Sequence, residues 1–361
     1  MTMTESLLAG CRNMLQTCAG LQAGARLLIV SEDPKLGWYD AALTDGLVAG
    51  ARNLDMKATV LPVGAPDTPG EGDRIDVASA DQDAVIYLAR IGDIGRFDAA
   101  TDGKIRVMSY ARTADMLASD YGQADHRALL VLKEAVNDIL LGADRIEVTC
   151  PLGTKLAGKV TGRDRENAAE VTVRRFPMGV PQPVIAVGFS GRVALARYLT
   201  STGSRPYDPA WFEIETPAFA VVENGRIAGL DGEEAVVEGI RKHYRFVSEK
   251  FGIDADAIHS WHAGIHPGCT YDFDASEDPD RWSNNVFTNP RFLHVHTCGA
   301  YPPGEICWMI LDHTVEVDGR ALWRGGRLLV EELPGLRACL EDWPVLAELF
   351  ANPSDRIGIA A

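Results

Sequence analysis

Along the first 150 residues, short apolar runs alternate with longer mixed segments in which apolar side chains recur every three to four positions. The runs are ARLLIVSE (25–32), KATVLPV (57–63), DAVIYLARI (83–91), KIRVMSYA (104–111) and DRIEVTC (144–150). Each has strand length and strand composition, and several of the segments between them show helical spacing. This alternation predicts an α/β N-terminal domain, residues 1–150, with a mainly parallel sheet and helices on both faces. In such folds ligands sit beyond the C-terminal strand ends, which makes Arg90 and Asp93, just past one predicted strand, candidate substrate contacts. No G-x-G-x-x-G follows the first strand and no Walker A motif occurs, so nucleotide binding is not indicated.

From about residue 151 the pattern shortens and Gly and Pro punctuate it. TKLAGKVTGR, AAEVTVRRF, PVIAVGF and PAFAVVENGRIAGL read as antiparallel strands and hairpins, with Asn224-Gly225 as a turn signal. GEEAVVEGIRKHYRFVSEKFG (232–252) and LRACLEDWPVLAELFA (336–351) read as helices. The expectation is a β-rich α+β C-terminal domain over residues 151–361. A chain of 361 residues is long enough for two cores.

Composition narrows the function classes. The chain is 46% hydrophobic and 24% charged, with no apolar run approaching a membrane span. Its first twenty residues carry acidic and polar side chains where a signal peptide would be basic, so a cytoplasmic location is expected. The net charge of −16 argues against nucleic acid or an anionic membrane as partner. Seven scattered cysteines without a C-x-x-C pair suit reduced thiols rather than a zinc ribbon or a disulfide framework.

The candidate chemistry lies in the histidines. Six of the eight (His259, His262, His266, His294, His296 and His313) fall within residues 259–313. In RFLHVHTCG the strand period of two sends His294 and His296 to one face. HSWHAGIHPGC reads as an extended turn, because Gly264 and Pro267 oppose a helix. In EICWMILDHTVEVDG, Asp312 and His313 face opposite ways. Two or three imidazoles with a carboxylate suit Zn, Mn or Fe(II), although a histidine taken alone is more often an ordinary core or surface residue. The acidic stretch DFDASEDPDRWSN (272–284) reads as a solvated loop or lid, in which Arg281 and Trp282 are either substrate contacts or surface packing. Cys298 and Cys307 lie near the histidines in sequence, as thiolate ligands or as small buried side chains.

Residues 144–331 resemble the aminopeptidase T-like metalloproteins, a family that includes iron-dependent 2,5-dihydroxypyridine ring-cleaving dioxygenases. PLGTKLAGKVTGR, FPMGVPQPV, SGRVALARYL and ENGRIAGLDG are similar to successive family segments; WHAGIHPGC, LHVHTCG and MILDHTVEVDGRALWRGGRLL match the three metal-bearing ones in order. Two peptidase glutamates are replaced, one by Val180 and one by His262. Carboxylates bridge two cations and a neutral imidazole does not, so the dinuclear site is not expected. The dioxygenases are the closer match, since they too lack the first glutamate and have a histidine ligand at the place of His262. Their His-x-Asp pair, however, falls on Cys307 and Met309, and a register shift to Asp312 or His313 would be needed.

The resemblance implies a mononuclear Fe(II) ring-cleaving dioxygenase acting on a hydroxylated aromatic or N-heteroaromatic molecule, with dioxygen as co-substrate. His262, His296 and Asp312 are the expected ligands, with Zn or Mn as alternative metals. His294, His266 and His313 are the expected supporting groups, one of them a near-neutral base for the substrate hydroxyl. A homo-oligomer is expected. The alternatives are a single-zinc amide or lactam hydrolase, and an inactive small-molecule binding protein.

Overall fold

The computed structural model describes residues 3–94, 96, 103–160, 171–301 and 303–359. Its first sheet has five parallel strands, in the order Lys57–Val63, Arg26–Glu32, Ala84–Leu88, Ile105–Ser109 and Arg174–Phe176. The first four are the expected runs. Arg26–Glu32 is buried almost throughout, as a central parallel strand must be, and helices Ala41–Asn53 and Glu71–Ser79 pack against this sheet.

The second sheet is large, curled and antiparallel, with twelve strands. Its central run is Ser190–Ser201, Ile306–Leu311, Phe292–Thr297 and Ile258–Ala263. The Asn224-Gly225 turn joins Trp211–Glu223 to Arg226–Asp231, with φ of 49° and 71° at its two residues. Both positive angles are what a tight hairpin asks for, and they account for this pair of residues.

The arrangement corrects several expectations. Ile146–Thr149, from the DRIEVTC run, pairs antiparallel in the second sheet, and helix His126–Gly142 buries its apolar face in that sheet's core. Conversely, the end of AAEVTVRRF forms the fifth parallel strand of the first sheet. The two cores therefore exchange elements across residue 150. Residues 161–163 and 168–170 of the expected strand runs lie outside the described residues. PVIAVGF contributes only the two-residue strand Val184–Ile185. The closing helix is two helices, Pro334–Asp342 and Pro344–Ala351, because Pro344 has no N–H to continue the first.

Two further corrections bear on the site. HSWHAGIHPGC is not a turn throughout: Ile258–Ala263 is a buried strand, and the chain leaves the sheet only at Gly264. The acidic stretch is helical in its second half, Pro279–Val286. There the Asp278 carboxylate caps the Arg281 N–H and Pro279 sits in the first turn.

Candidate metal centre

The centre is a product of strand register. Phe292–Thr297 lies between Ile258–Ala263 and Ile306–Leu311. His262 stands directly opposite His294, and His296 follows His294 by two residues on the same face. One cross-strand neighbour and one same-strand neighbour make a compact triangle. Ligand atoms of His262, His294 and His296 lie within 4.8 Å of one another, and all three residues are buried.

The environment keeps these imidazoles neutral. Burial pushes the His294 pKa down to about 3 and is the main cause of the depression at His262 and His296, to which their neighbours' charges add. His262 Nδ1, His294 Nε2 and His296 Nδ1 are enclosed without a hydrogen-bond partner. Leaving a buried polar atom unpaired costs about 1–3 kcal/mol, so three of them together are a destabilised arrangement unless something ligates them. Neutral, convergent, unpartnered imidazoles fit a divalent transition metal.

The other strand neighbour explains the missing carboxylate. Met309 pairs with His294 and Cys307 with His296, so both share the histidine face. These are the positions at which the family resemblance expects a His-x-Asp ligand pair, and here they carry sulfur. The Cys307 thiol is buried and its pKa is raised by burial; that of Cys298 is pushed up to about 12 for the same main reason.

Asp312 does not join the three histidines. It lies beyond the end of Ile306–Leu311 at φ 50°, and its carboxylate makes a two-pronged pair with Arg291 at 2.7 and 3.0 Å. His313 is fully buried beside Trp323, 6.1 Å between ring centroids, on the turn after the same strand. His266 is also fully buried: its Nδ1 accepts from the Gly268 N–H and its ring packs against Tyr121. Burial lowers the pKa of His266 to about 3 and of His313 to about 4, and His126, His243 and His259 are lowered to about 4. None of the eight supplies the near-neutral base that was expected.

The candidate substrate contacts also divide. Trp282 is core: it is fully buried, packs on Phe292, and donates from Nε1 to the Ile357 carbonyl at 2.6 Å. Arg281 is held by the Tyr271 hydroxyl and the Gly37 carbonyl. Arg90 pairs with Glu32 and stacks over Trp38. It nevertheless lines, together with Asp93, a small cavity of about 90 Å³ that Arg112, Arg205 and Asp280 also border.

Asp93 is connected to the histidines through a chain of contacts. Its carboxylate accepts from the Tyr110 hydroxyl at 2.9 Å and pairs with Arg96 at 3.3 Å. The Tyr110 ring meets Phe287 at 5.0 Å, and Phe287 stacks on His294 at 5.7 Å. Arg96 and Arg175 are near enough to depress the His262 pKa. Tyr110, Phe287, Arg96 and Arg175 escaped the sequence reading, because nothing in the local pattern marks them; they gather only through the packing of one sheet's strand ends against the other sheet.

No family model matches the chain, and no curated protein resembles it in sequence. Among solved structures it is similar to a 2,5-dihydroxypyridine dioxygenase from Pseudomonas putida KT2440, with a TM-score of 0.60 and 11% identity over 92% of this chain and 99% of that one. At that identity the likeness is one of fold. A fatty acid ABC transporter substrate-binding protein from Thermomonospora curvata aligns with a TM-score of 0.23 over 38% of this chain and 41% of that one, at 18% identity, too low to carry an argument. No described helix is long and apolar enough to cross a membrane.

Proposed function

We propose that the protein is a metal-dependent oxidoreductase that opens a hydroxylated aromatic or N-heteroaromatic ring with dioxygen, using one Fe(II) held by His262, His294 and His296. The observation that carries this reading is the convergence of three buried, neutral, unpartnered imidazoles. The dioxygenase of similar fold supports the choice of chemistry. Asp312 is left out of the ligand set because Arg291 holds it.

An Fe(II) ion held by His262, His294 and His296 would supply Lewis acidity toward a ring hydroxyl and electrons toward dioxygen. The protein's own groups do the rest. Phe287, stacked on His294, offers a flat face to an aromatic ring. Asp93, fixed by Arg96 and by the Tyr110 hydroxyl whose ring meets Phe287, is the carboxylate suited to accept a ring-hydroxyl proton. The burial of the three histidines keeps water away and strengthens the polar contacts among them.

One observation favours a second reading. An all-imidazole set without a carboxylate also suits zinc, which would lower the pKa of a bound water toward ~7 and so supply a nucleophile for an amide or lactam. The test is metal analysis of protein purified anaerobically, followed by Fe(II) or Zn2+ reconstitution and oxygen-electrode assays with hydroxypyridines. One iron per chain with substrate-dependent oxygen uptake supports the dioxygenase. Zinc without oxygen uptake favours the hydrolase, and full metal content in His262→Ala would refute the ligand set.

A further inference from the structure

We propose that the crevice between the first sheet's strand ends and the second sheet binds a small oxyanion that keeps a hydroxyl, of the hydrogen phosphate type. Arg112 is its anchor and Asp280 accepts from its hydroxyl. The proposal is independent of the metal-site reading.

The crevice follows from topology. Arg26–Glu32 is followed in the chain by Lys57–Val63 on one side of it, whereas Ala84–Leu88, on its other side, is followed by Ile105–Ser109 still further out. The connections leaving these two adjacent strands therefore part in opposite directions, and such a switch point is where open α/β sheets hold their ligands. Trp38 follows the first of the two strands, Arg90 and Asp93 follow the second, and Arg112 follows Ile105–Ser109; all four border the cavity of about 90 Å³. Its other wall belongs to the second sheet: Ser201 and Arg205 at and after the end of Ser190–Ser201, and Asp280 on helix Pro279–Val286. A water molecule's share of liquid volume is about 30 Å³, so the space suits one small ion and excludes a sugar or a base.

Arg112 is only 4% exposed, and the groups that hold it are uncharged. It donates to the Tyr39 hydroxyl, to Asn285 Oδ1 at 3.3 Å and to the Asn284 carbonyl at 3.4 Å, with its guanidinium over the Tyr39 ring. A buried guanidinium gains from an anion, and its planar fork matches phosphate oxygens. The other charged groups on the walls are engaged: Arg90 by Glu32, Arg205 by Glu305, and Asp93 by Tyr110 and Arg96. Asp280 is engaged on one side only, since Ser201 Oγ at 2.7 Å and Asn284 Nδ2 at 3.1 Å both donate to its Oδ1. A guanidinium and a carboxylate on one small cavity suit an anion that accepts at some oxygens and donates from another. Hydrogen phosphate does both. Sulfate has no proton to give, so Asp280 would repel it. An anion held there would also tie the parallel sheet's loops to helix Pro279–Val286, which leads directly into Phe287 on His294.

The test is calorimetric titration of the full-length protein with inorganic phosphate and with sulfate at constant ionic strength. Wild type is expected to bind phosphate about tenfold or more tighter than sulfate, and Arg112→Met to weaken phosphate by a similar factor, the range of lost charge-assisted hydrogen bonds. Asp280→Asn, whose amide can donate, should bring the phosphate-to-sulfate ratio to about one. No phosphate binding by wild type, equal binding of sulfate, or an unchanged phosphate affinity in Arg112→Met overturns the proposal. His262→Ala should bind phosphate as wild type does; loss of binding there would put the anion on a metal at the histidines and overturn it too. Phenyl phosphate separates a free ion from a phosphate ester: binding no tighter than phosphate supports the ion-sized site, and much tighter binding overturns it. Should Arg112→Met fail to fold, Arg112→Lys decides, because it keeps the charge and loses the fork: weaker phosphate binding supports the anchor, and unchanged affinity overturns it.

Discussion

Mild acid should unfold this protein, because seven of its eight histidines are buried and held neutral. Every one of the seven has its pKa lowered by burial, to between about 3 and about 4 where a value is resolved. In the unfolded chain each returns to ~6.5. A depressed histidine pKa means that the unfolded state binds more protons below pH 6.5, so this stability is present above that pH and lost below it. At pH 5.5 the five whose lowered values are resolved cost somewhat over ~1 kcal/mol each, or about 7 kcal/mol together, and His262 and His296 act in the same direction. Acids raised by burial act in the opposite sense, Asp40 among them. Glu305 is raised to about 7 and Asp280 to about 6, both chiefly by burial, so the folded state takes up their protons first as the pH falls. They return about 2–3 kcal/mol by pH 5.5. The net loss of about 4–5 kcal/mol is a large share of the stability of an ordinary domain. The assay is urea unfolding followed by far-UV circular dichroism from pH 7.5 to 5.0. The midpoint should fall steeply below pH 6.5, with unfolding in buffer alone between about pH 5 and 6. An unchanged midpoint at pH 5.5 would refute the reasoning and mean that the imidazoles find water or partners on protonation.

Three substitutions probe the placement of individual residues. Asp312→Asn should leave metal stoichiometry intact and cost only about 1 kcal/mol, because its Arg291 pair is partly exposed and asparagine tolerates the positive φ; loss of metal would return Asp312 to the ligand set. Trp282→Ala should cost about 3–5 kcal/mol in chemical denaturation, as emptying a fully buried tryptophan site does, whereas a mere substrate contact would leave stability unchanged. In Gly264→Ala the new Cβ would lie 2.1 Å from the Asn289 carbonyl oxygen. The backbone next to His262 must then move, which predicts a loss of about 1–3 kcal/mol together with weaker metal binding in a competition assay; unaltered metal affinity would show that His262 does not depend on this close approach.

Some of the molecule is legible from local pattern alone. Four strands of the parallel sheet and the Asn224-Gly225 hairpin follow from apolar runs and turn chemistry, and the shared face of His294 and His296 follows from the two-residue period of a strand. These depend on neighbours in sequence, so the order of residues determines them. Asp312 was a reasonable ligand by the same logic, standing near the histidines in the chain with the right chemistry.

Only tertiary structure decided which third side chain meets that pair. Strand partners are chosen by non-local register, and a shift of one residue exchanges the faces; the register puts His262 opposite His294 and leaves Asp312 past the strand end, with Arg291. The helical phase of Pro279–Val286, set by an Asp278 cap inside an acidic stretch, turns Trp282 into the core. Arg175 comes near His262 because its short strand joins the first sheet, pairing Met108 with Arg175 across 67 positions of chain. Periodicity states which way a side chain points relative to its neighbours. What it points at is set by the packing of the two sheets, which depends on contacts far apart in the chain.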